Sequence, residues 1–166
     1  MCDNVDLAPL QGIDQRYVRV TEDAKYGQLR ALFAQGAAAQ TMVFCSTRER
    51  ADELSRRMAQ DGVESEALHG DVAGAQRKAV MQRFRGGQLR VLVCTELLAR
   101  GVDVQQVGLV VLYDMCQDAD TYLHCIGRCG RFGRRGRAVA LCNEYDLPML
   151  RSVAQVYGAT ITEGAA

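Results

Sequence analysis

Thr41-Met42-Val43-Phe44-Cys45-Ser46-Thr47-Arg48 decides the fold class of this chain. Met42 to Cys45 are apolar without a break. In a strand, successive side chains point to opposite faces, so this run predicts a strand buried on both sides. Such strands belong to parallel sheets covered by helices above and below. Thr47 can act as a helix cap, and Arg48–Gln60 predicts a helix that ends at Asp61-Gly62. The same alternation extends outward. Downstream come a short strand at Glu66–Leu68, a helix over Ala73–Arg85 with Val80, Met81 and Phe84 inward, and strands at Arg90–Cys94 and Leu109–Tyr113. A helix over Asp120–Ile126, a strand at Ala138–Cys142, a helix over Asp146–Tyr157 and a last short strand at Thr160–Thr162 complete the order. Upstream lie a helix over Asp23–Ala34 and a brief strand at Arg16–Val20. The expected fold class is α/β, a mainly parallel sheet with helices on both faces, over residues 16–164. Residues 1–15 read as a tail or the remnant of a linker. Sites on such sheets lie beyond the carboxyl ends of the strands.

With 166 residues, one domain with a real core is expected. Lys+Arg and Asp+Glu both number 20, so attraction to a polyanion has to be local. Only Lys25 and Lys78 are lysines; the remaining basic residues are arginines, which lean towards bidentate contacts. The 7 cysteines form no C-x-x-C pair and there are 2 histidines, which argues against a zinc site. An odd cysteine count fits reduced thiols and a cytoplasmic or nuclear protein. No apolar run of about 18 residues exists to span a membrane, and Met1–Asp6 lacks the apolar core of a signal peptide.

Two segments carry the chemistry. Between Arg128 and Arg137 stand five arginines (128, 131, 134, 135, 137) with no carboxylate among them, and glycines at 127, 130, 133 and 136 keep the backbone close to whatever they face. Guanidinium holds phosphate in a fork of two hydrogen bonds, so this segment suits an anion of phosphate type; the plainer alternative is a solvated basic loop. The second segment comes after the strand at 90–94: Thr95, Arg100, Gly101 and Asp103 are expected at the carboxyl edge. Ser46-Thr47 and His69-Gly70-Asp71 should reach the same edge, where backbone N–H groups and helix N-termini can hold phosphates. Thr95 can also be a cap, and Asp103 can also pair with Arg100.

Four motifs stand in order along the chain. They are Val43-Phe44-Cys45-Ser46-Thr47-Arg48, Ala67-Leu68-His69-Gly70-Asp71, Val91 through Val104, and His124-x-Ile126-Gly127-Arg128-x-Gly130-Arg131-Phe132-Gly133-Arg134. Together they resemble the C-terminal RecA-like domain of DEAD-box RNA helicases, closest to translation initiation factor 4A and its relatives, from about Leu7 to Ile161. The resemblance implies a three-layer domain that closes with an N-terminal RecA-like domain over ATP and single-stranded RNA. Arg128 and Arg131 match arginine fingers for the γ-phosphate, near the strand-end rim bearing Asp103. Asp103 matches a contact to the ATP ribose, with Gly101 beside it. Thr95, Gly70, Thr47, Arg48 and Arg77 match contacts to the RNA backbone, without sequence preference. His124 matches a residue coupling the two domains, or else is a hydrogen-bonded structural histidine. The partners implied are RNA, the chain's own N-terminal domain and, for a docking module, a helical scaffold protein.

No G-x-x-x-x-G-K-[ST] loop and no Asp-Glu-Ala-Asp run occur. ATP and its Mg2+ are therefore expected on the N-terminal domain, and this chain alone is expected neither to bind ATP appreciably nor to hydrolyse it. Cys125 stands where the family usually has Arg, Gly74 where Gln is usual, Glu96 for the commoner Asp and Cys116 for Pro. These departures suggest a weakened or specialised helicase, in which restoring Arg at 125 should raise ATPase activity. Two rival functions stay open: a stand-alone protein-interaction module, and a cysteine phosphatase using His124-Cys125-x₅-Arg131. A helix start at 118–123, where a phosphatase needs a strand, weighs against the second.

Overall fold

The computed structural model describes residues 10, 12–35, 40–96, 98, 107–130 and 135–164. Among them, seven strands form one sheet: β1 (Ile13–Arg19), β2 (Thr41–Cys45), β3 (Ser65–Leu68), β4 (Val91–Thr95), β5 (Leu109–Leu112), β6 (Gly136–Cys142) and β7 (Thr162–Glu163). Their order is β3-β4-β2-β5-β6-β1-β7, and every pairing is parallel. Among the described residues five helices of 8 residues or more cover it: α1 (Lys25–Ala34), α2 (Arg48–Gln60), α3 (Gly74–Arg85), α4 (Ala119–Ile126) and α5 (Leu147–Tyr157). This is the three-layer arrangement of a RecA-like domain.

The apolar run in β2 explains the layers. The strand is buried at all five positions. Met42 and Phe44 join the cluster that includes Val80, Met81, Phe84, Tyr122, Ile126, Leu150 and Val153, under α3, α4 and α5. Val43 and Cys45 join the opposite cluster with Tyr26, Leu29, Leu54 and Met58, under α1 and α2. The two-residue period of one strand thus feeds two cores.

The first strand begins at Ile13, not at Arg16, so residues 13–15 belong to the sheet and not to a tail. Gln15 is buried there and accepts a hydrogen bond from the Tyr122 hydroxyl at 2.8 Å. The sequence starts the strand three residues late because Asp14 and Gln15 break the apolar pattern at positions where β1 meets helix α4 and its own ion pairs. Among the described residues no helix is long and apolar enough to cross a membrane.

Candidate nucleic-acid interface at the carboxyl edge

The carboxyl ends of β2, β3 and β4 lie side by side, because β2 and β3 each pair with β4. The loops that leave them line an open groove of about 420 Å³ formed by Ser46, Thr47, Arg48, Glu49, Gly70, Thr95 and Glu96. Four of the five residues expected at an RNA backbone meet here: Thr47, Arg48, Gly70 and Thr95. Thr95 ends β4 and is buried. Thr47 is the cap of α2, its hydroxyl accepting from the Arg50 amide at 3.2 Å. The Arg48 side chain is half exposed and forms an ion pair with Asp71. A Cβ on Gly70 would meet nothing within 4 Å, so packing within the domain does not demand glycine.

Arg77 does not line the groove. Its Nη2 donates to the His69 carbonyl at 3.1 Å, so it braces the turn from behind. His69 braces it from the front. The Asp71 amide donates to Nδ1 at 3.2 Å, which puts the ring proton on Nε2, 2.9 Å from the Asp52 carboxylate. The corner at Ser46 is held by Asp114, a residue that sequence reasoning missed. Its signal was an acid directly beyond an apolar strand, at the edge where ligands bind.

The start of the arginine-rich segment, at Arg128, lies elsewhere. α4 starts at the carboxyl edge, capped by Asp118 through the Thr121 amide at 2.7 Å, and runs back across the sheet. Arg128 comes just after its end. The Arg128 carbonyl accepts from Val107 and the Gly130 amide donates to Val107, each at 2.8 Å. Val107 precedes β5, so the Arg128 backbone sits at the amino edge, not on the carboxyl rim that the sequence suggested. Gly136 makes this fit possible: a Cβ there would come within 2.2 Å of the Gly130 nitrogen. His124, one turn earlier, is exposed, with Nε2 3.5 Å from Asp120. Arg131, Gly101 and Asp103 lie outside the described residues.

Cys125 bears on two expectations. It is fully buried in the last turn of α4, with its sulfur 4.0 Å from that of Cys116. A phosphatase nucleophile needs an open, phosphate-cradling loop, and this thiol has none. An arginine in its place would have to enter the core beside the Cys116 sulfur. Elsewhere burial pushes the thiols of Cys45, Cys129 and Cys142 up to about 12, in Cys45 with help from the Asp114 charge. Among the described residues no group of three or more His, Cys, Asp or Glu is arranged to hold a metal.

Comparison with known proteins agrees with this fold. Residues 24–133 match the family described as the helicase conserved C-terminal domain. The ATP-dependent RNA helicase eIF4A of Eremothecium gossypii is 41% identical over 159 residues, which are 95% of this chain and 40% of that protein. Eukaryotic initiation factor 4A of Drosophila melanogaster is 43% identical over 155 residues, 93% of this chain and 38% of that one. The structure of S. cerevisiae Dbp5 bound to RNA and ADP BeF3 superposes with a TM-score of 0.86 at 31% identity, covering 92% of this chain and 41% of that one. The chain thus spans about two fifths of the length of the curated relatives it matches.

Proposed function

Because this chain belongs to the helicase conserved C-terminal domain family, with ATP-dependent RNA helicases among its relatives, we propose that it is the C-terminal half of such an enzyme. In this reading the carboxyl-edge groove takes the sugar-phosphate backbone of single-stranded RNA. Arg128 and Arg131, with Asp103 and Gly101, complete an ATP site whose phosphate loop and Mg2+ belong to an N-terminal RecA-like domain. His124 couples the two halves.

The observation that carries the reading is convergence. Thr47, Arg48, Gly70 and Thr95 come from three loops far apart in sequence and line one groove. The groove offers hydroxyls, a guanidinium and a backbone approach without a side chain. That set suits phosphate and sugar and carries no means of reading bases, so binding is independent of sequence. The Arg48–Asp71 ion pair is exposed on both sides and is therefore weak, so a phosphate can take the place of Asp71.

The donor set at 128 and 131 fits a phosphate oxygen that gains charge in the transition state. When bound, ATP supplies the transferable phosphoryl group. This chain's part is to hold cations at a fixed place, and the backbone hydrogen bonds of Arg128 and Gly130 to Val107 provide that fixity.

The test is fluorescence anisotropy of a labelled oligouridylate titrated with the chain at low salt. Binding should weaken with salt with a log–log slope of about −0.7 for each phosphate neutralised. It should weaken further in Arg48→Ala and Thr95→Ala. Binding that ignores salt, or that survives both substitutions unchanged, overturns the assignment of the groove.

A further inference from the structure

We propose that Asp114 is a positioning residue of the carboxyl-edge groove: its carboxylate fixes the Ser46–Thr47 corner on which the RNA backbone docks. This rests on the RNA reading of the groove and adds a residue outside its lining.

Asp114 lies beyond β5, which pairs with β2 in the sheet, so it faces the loop leaving β2. Its side chain is 11% exposed. Oδ2 accepts from the Ser46 amide at 2.8 Å and from Arg50 Nε at 2.9 Å. Oδ1 accepts from Arg50 Nη2 at 2.7 Å and from Lys25 Nζ at 3.3 Å. Four donors occupy the roughly four lone-pair sites of a carboxylate. They come from the corner itself, from α2 and from the start of α1, so one side chain ties three elements together.

The cations are themselves fixed. Lys25 is 2% exposed and lies 2.7 Å from Glu22, whose other oxygen is 3.4 Å from Arg50. Asn143, beyond β6, donates to Glu22 at 3.1 Å. Two carboxylates thus meet two cations in a closed set, and a buried ion pair keeps its place only when its charges are matched in this way. The Ser46 and Arg50 amides, unpaired donors at the start of α2, are taken by Asp114 and by Thr47. The corner is therefore ordered before any ligand arrives, and RNA need not spend binding energy on ordering it.

Asp114→Asn keeps the size of the side chain and aims an amide N–H₂ at donors. The test measures oligouridylate affinity of the full chain by anisotropy for wild type, Asp114→Asn, Thr47→Ala, Gly70→Ala and the pairwise doubles, well below each melting temperature. It also measures hydrogen exchange at the Ser46 amide by NMR. Asp114→Asn should weaken binding about tenfold and release the Ser46 amide to fast exchange. Its effect should vanish in the Thr47→Ala background and add fully to that of Gly70→Ala, a pattern that general loss of stability does not produce. If Asp114→Asn does not fold, Arg50→Gln serves, because it removes two of the four donors and predicts the same pattern.

Wild-type affinity with slow Ser46 exchange in either variant overturns the proposal. If the wild type itself binds no RNA through Thr47 and Arg48, the reading of the groove fails. The exchange rate at Ser46 then still decides whether Asp114 fixes the corner.

Discussion

The groove at the carboxyl edge and the arginine segment at the amino edge are built in opposite ways. The groove is fastened by side chains. His69 and Arg77 hold the turn at Gly70, and Asp114 with Thr47 holds the corner at Ser46. The arginine segment is fastened through its backbone, by Val107 on one side and by the close approach of Gly136 on the other. The difference teaches which surface works alone. A groove shaped by side-chain contacts within its own domain is complete before its ligand arrives. A segment pinned by its main chain at Arg128 and Gly130 takes its place from the sheet and not from a ligand. About a strand's length, roughly 15 Å, separates the two, so RNA contact and ATP chemistry should respond to different substitutions.

The sharpest way to break that comparison is Arg128→Ala in a helicase carrying this domain. RNA-stimulated ATP hydrolysis should fall by about 10³ or more, the lower end of the value of such a finger in related phosphoryl transfer. RNA affinity of the domain should stay the same. A steady-state ATPase assay beside an anisotropy titration checks both halves. A variant that loses RNA affinity in step with ATPase activity would merge the two surfaces into one.

Cys125→Arg comes next in size and reverses what the motif alone suggests. The family pattern invites an arginine here, yet the position is fully buried and its sulfur lies beside that of Cys116. A guanidinium in that place has to enter a filled core site beside the Cys116 sulfur, with Glu96, which hydrogen-bonds Cys116, as the near carboxylate. The domain should lose about 1–3 kcal/mol of stability, the cost of forcing extra volume into a filled core. Urea denaturation monitored by circular dichroism measures it. An unchanged midpoint would mean that α4 turns this side chain out to the amino edge.

Much of this fold was legible in sequence, and the reasons are local. β2 and the cap at Thr47 obey period and capping rules that act within a few residues, and the structure reproduces Thr41–Cys45 and Arg48–Gln60 as read. β1 was read short because its polar residues make sense only against Tyr122, more than a hundred residues away. Three loops of the groove could be foreseen because parallel strands deliver their carboxyl ends to one edge. The place of Arg128 could not, because α4 carries it back across the sheet and no motif records that distance. That Arg77 stands outside the groove lining was not legible for a related reason. Its position in the helix suits the groove, but the His69 carbonyl holds it behind the turn.

Acid sharpens the contrast at the third level of effect. Burial opposes ionisation of Asp114, but hydrogen bonds from Arg50 and the Ser46 amide, with the charges of Arg50 and Lys25, outweigh it and hold its carboxyl below the usual 3.8. Glu22 is lowered too: its partial burial is outweighed by Lys25, Arg50 and Asn143. A carboxyl whose folded pKa is depressed contributes stability that is fully present above the unfolded value and is lost as pH falls through the folded one. The contribution of Asp114 should therefore be whole at about pH 5 to 7, begin to fall near pH 4 and be lost as pH drops through the lower folded value. The difference in urea midpoint between wild type and Asp114→Asn should shrink over that interval. Because the groove corner depends on this carboxylate and the Arg128 backbone does not, Ser46 amide exchange should quicken with acid before that of Gly130. Simultaneous loss of protection at both amides would show one cooperative unit where the hydrogen bonds indicate two.

Gly70→Ala is the smallest change and separates domain from ligand most directly. A Cβ there meets no atom of the protein within 4 Å, and the residue is not among the glycines with positive φ. Alanine should thus fit the folded chain without strain and stabilise it by about 0.4–1 kcal/mol, by removing freedom from the unfolded state. In the groove the same methyl occupies space that an RNA backbone needs. Affinity for oligouridylate should fall by a few-fold to tenfold, a cost of about 1.4 kcal/mol at the upper end. The two effects have opposite signs, so a loss of folding cannot imitate the loss of binding. A melting temperature that rises while RNA affinity stays at the wild-type value would place the strand away from Gly70, and the groove would then be narrowed to Thr47, Arg48 and Thr95.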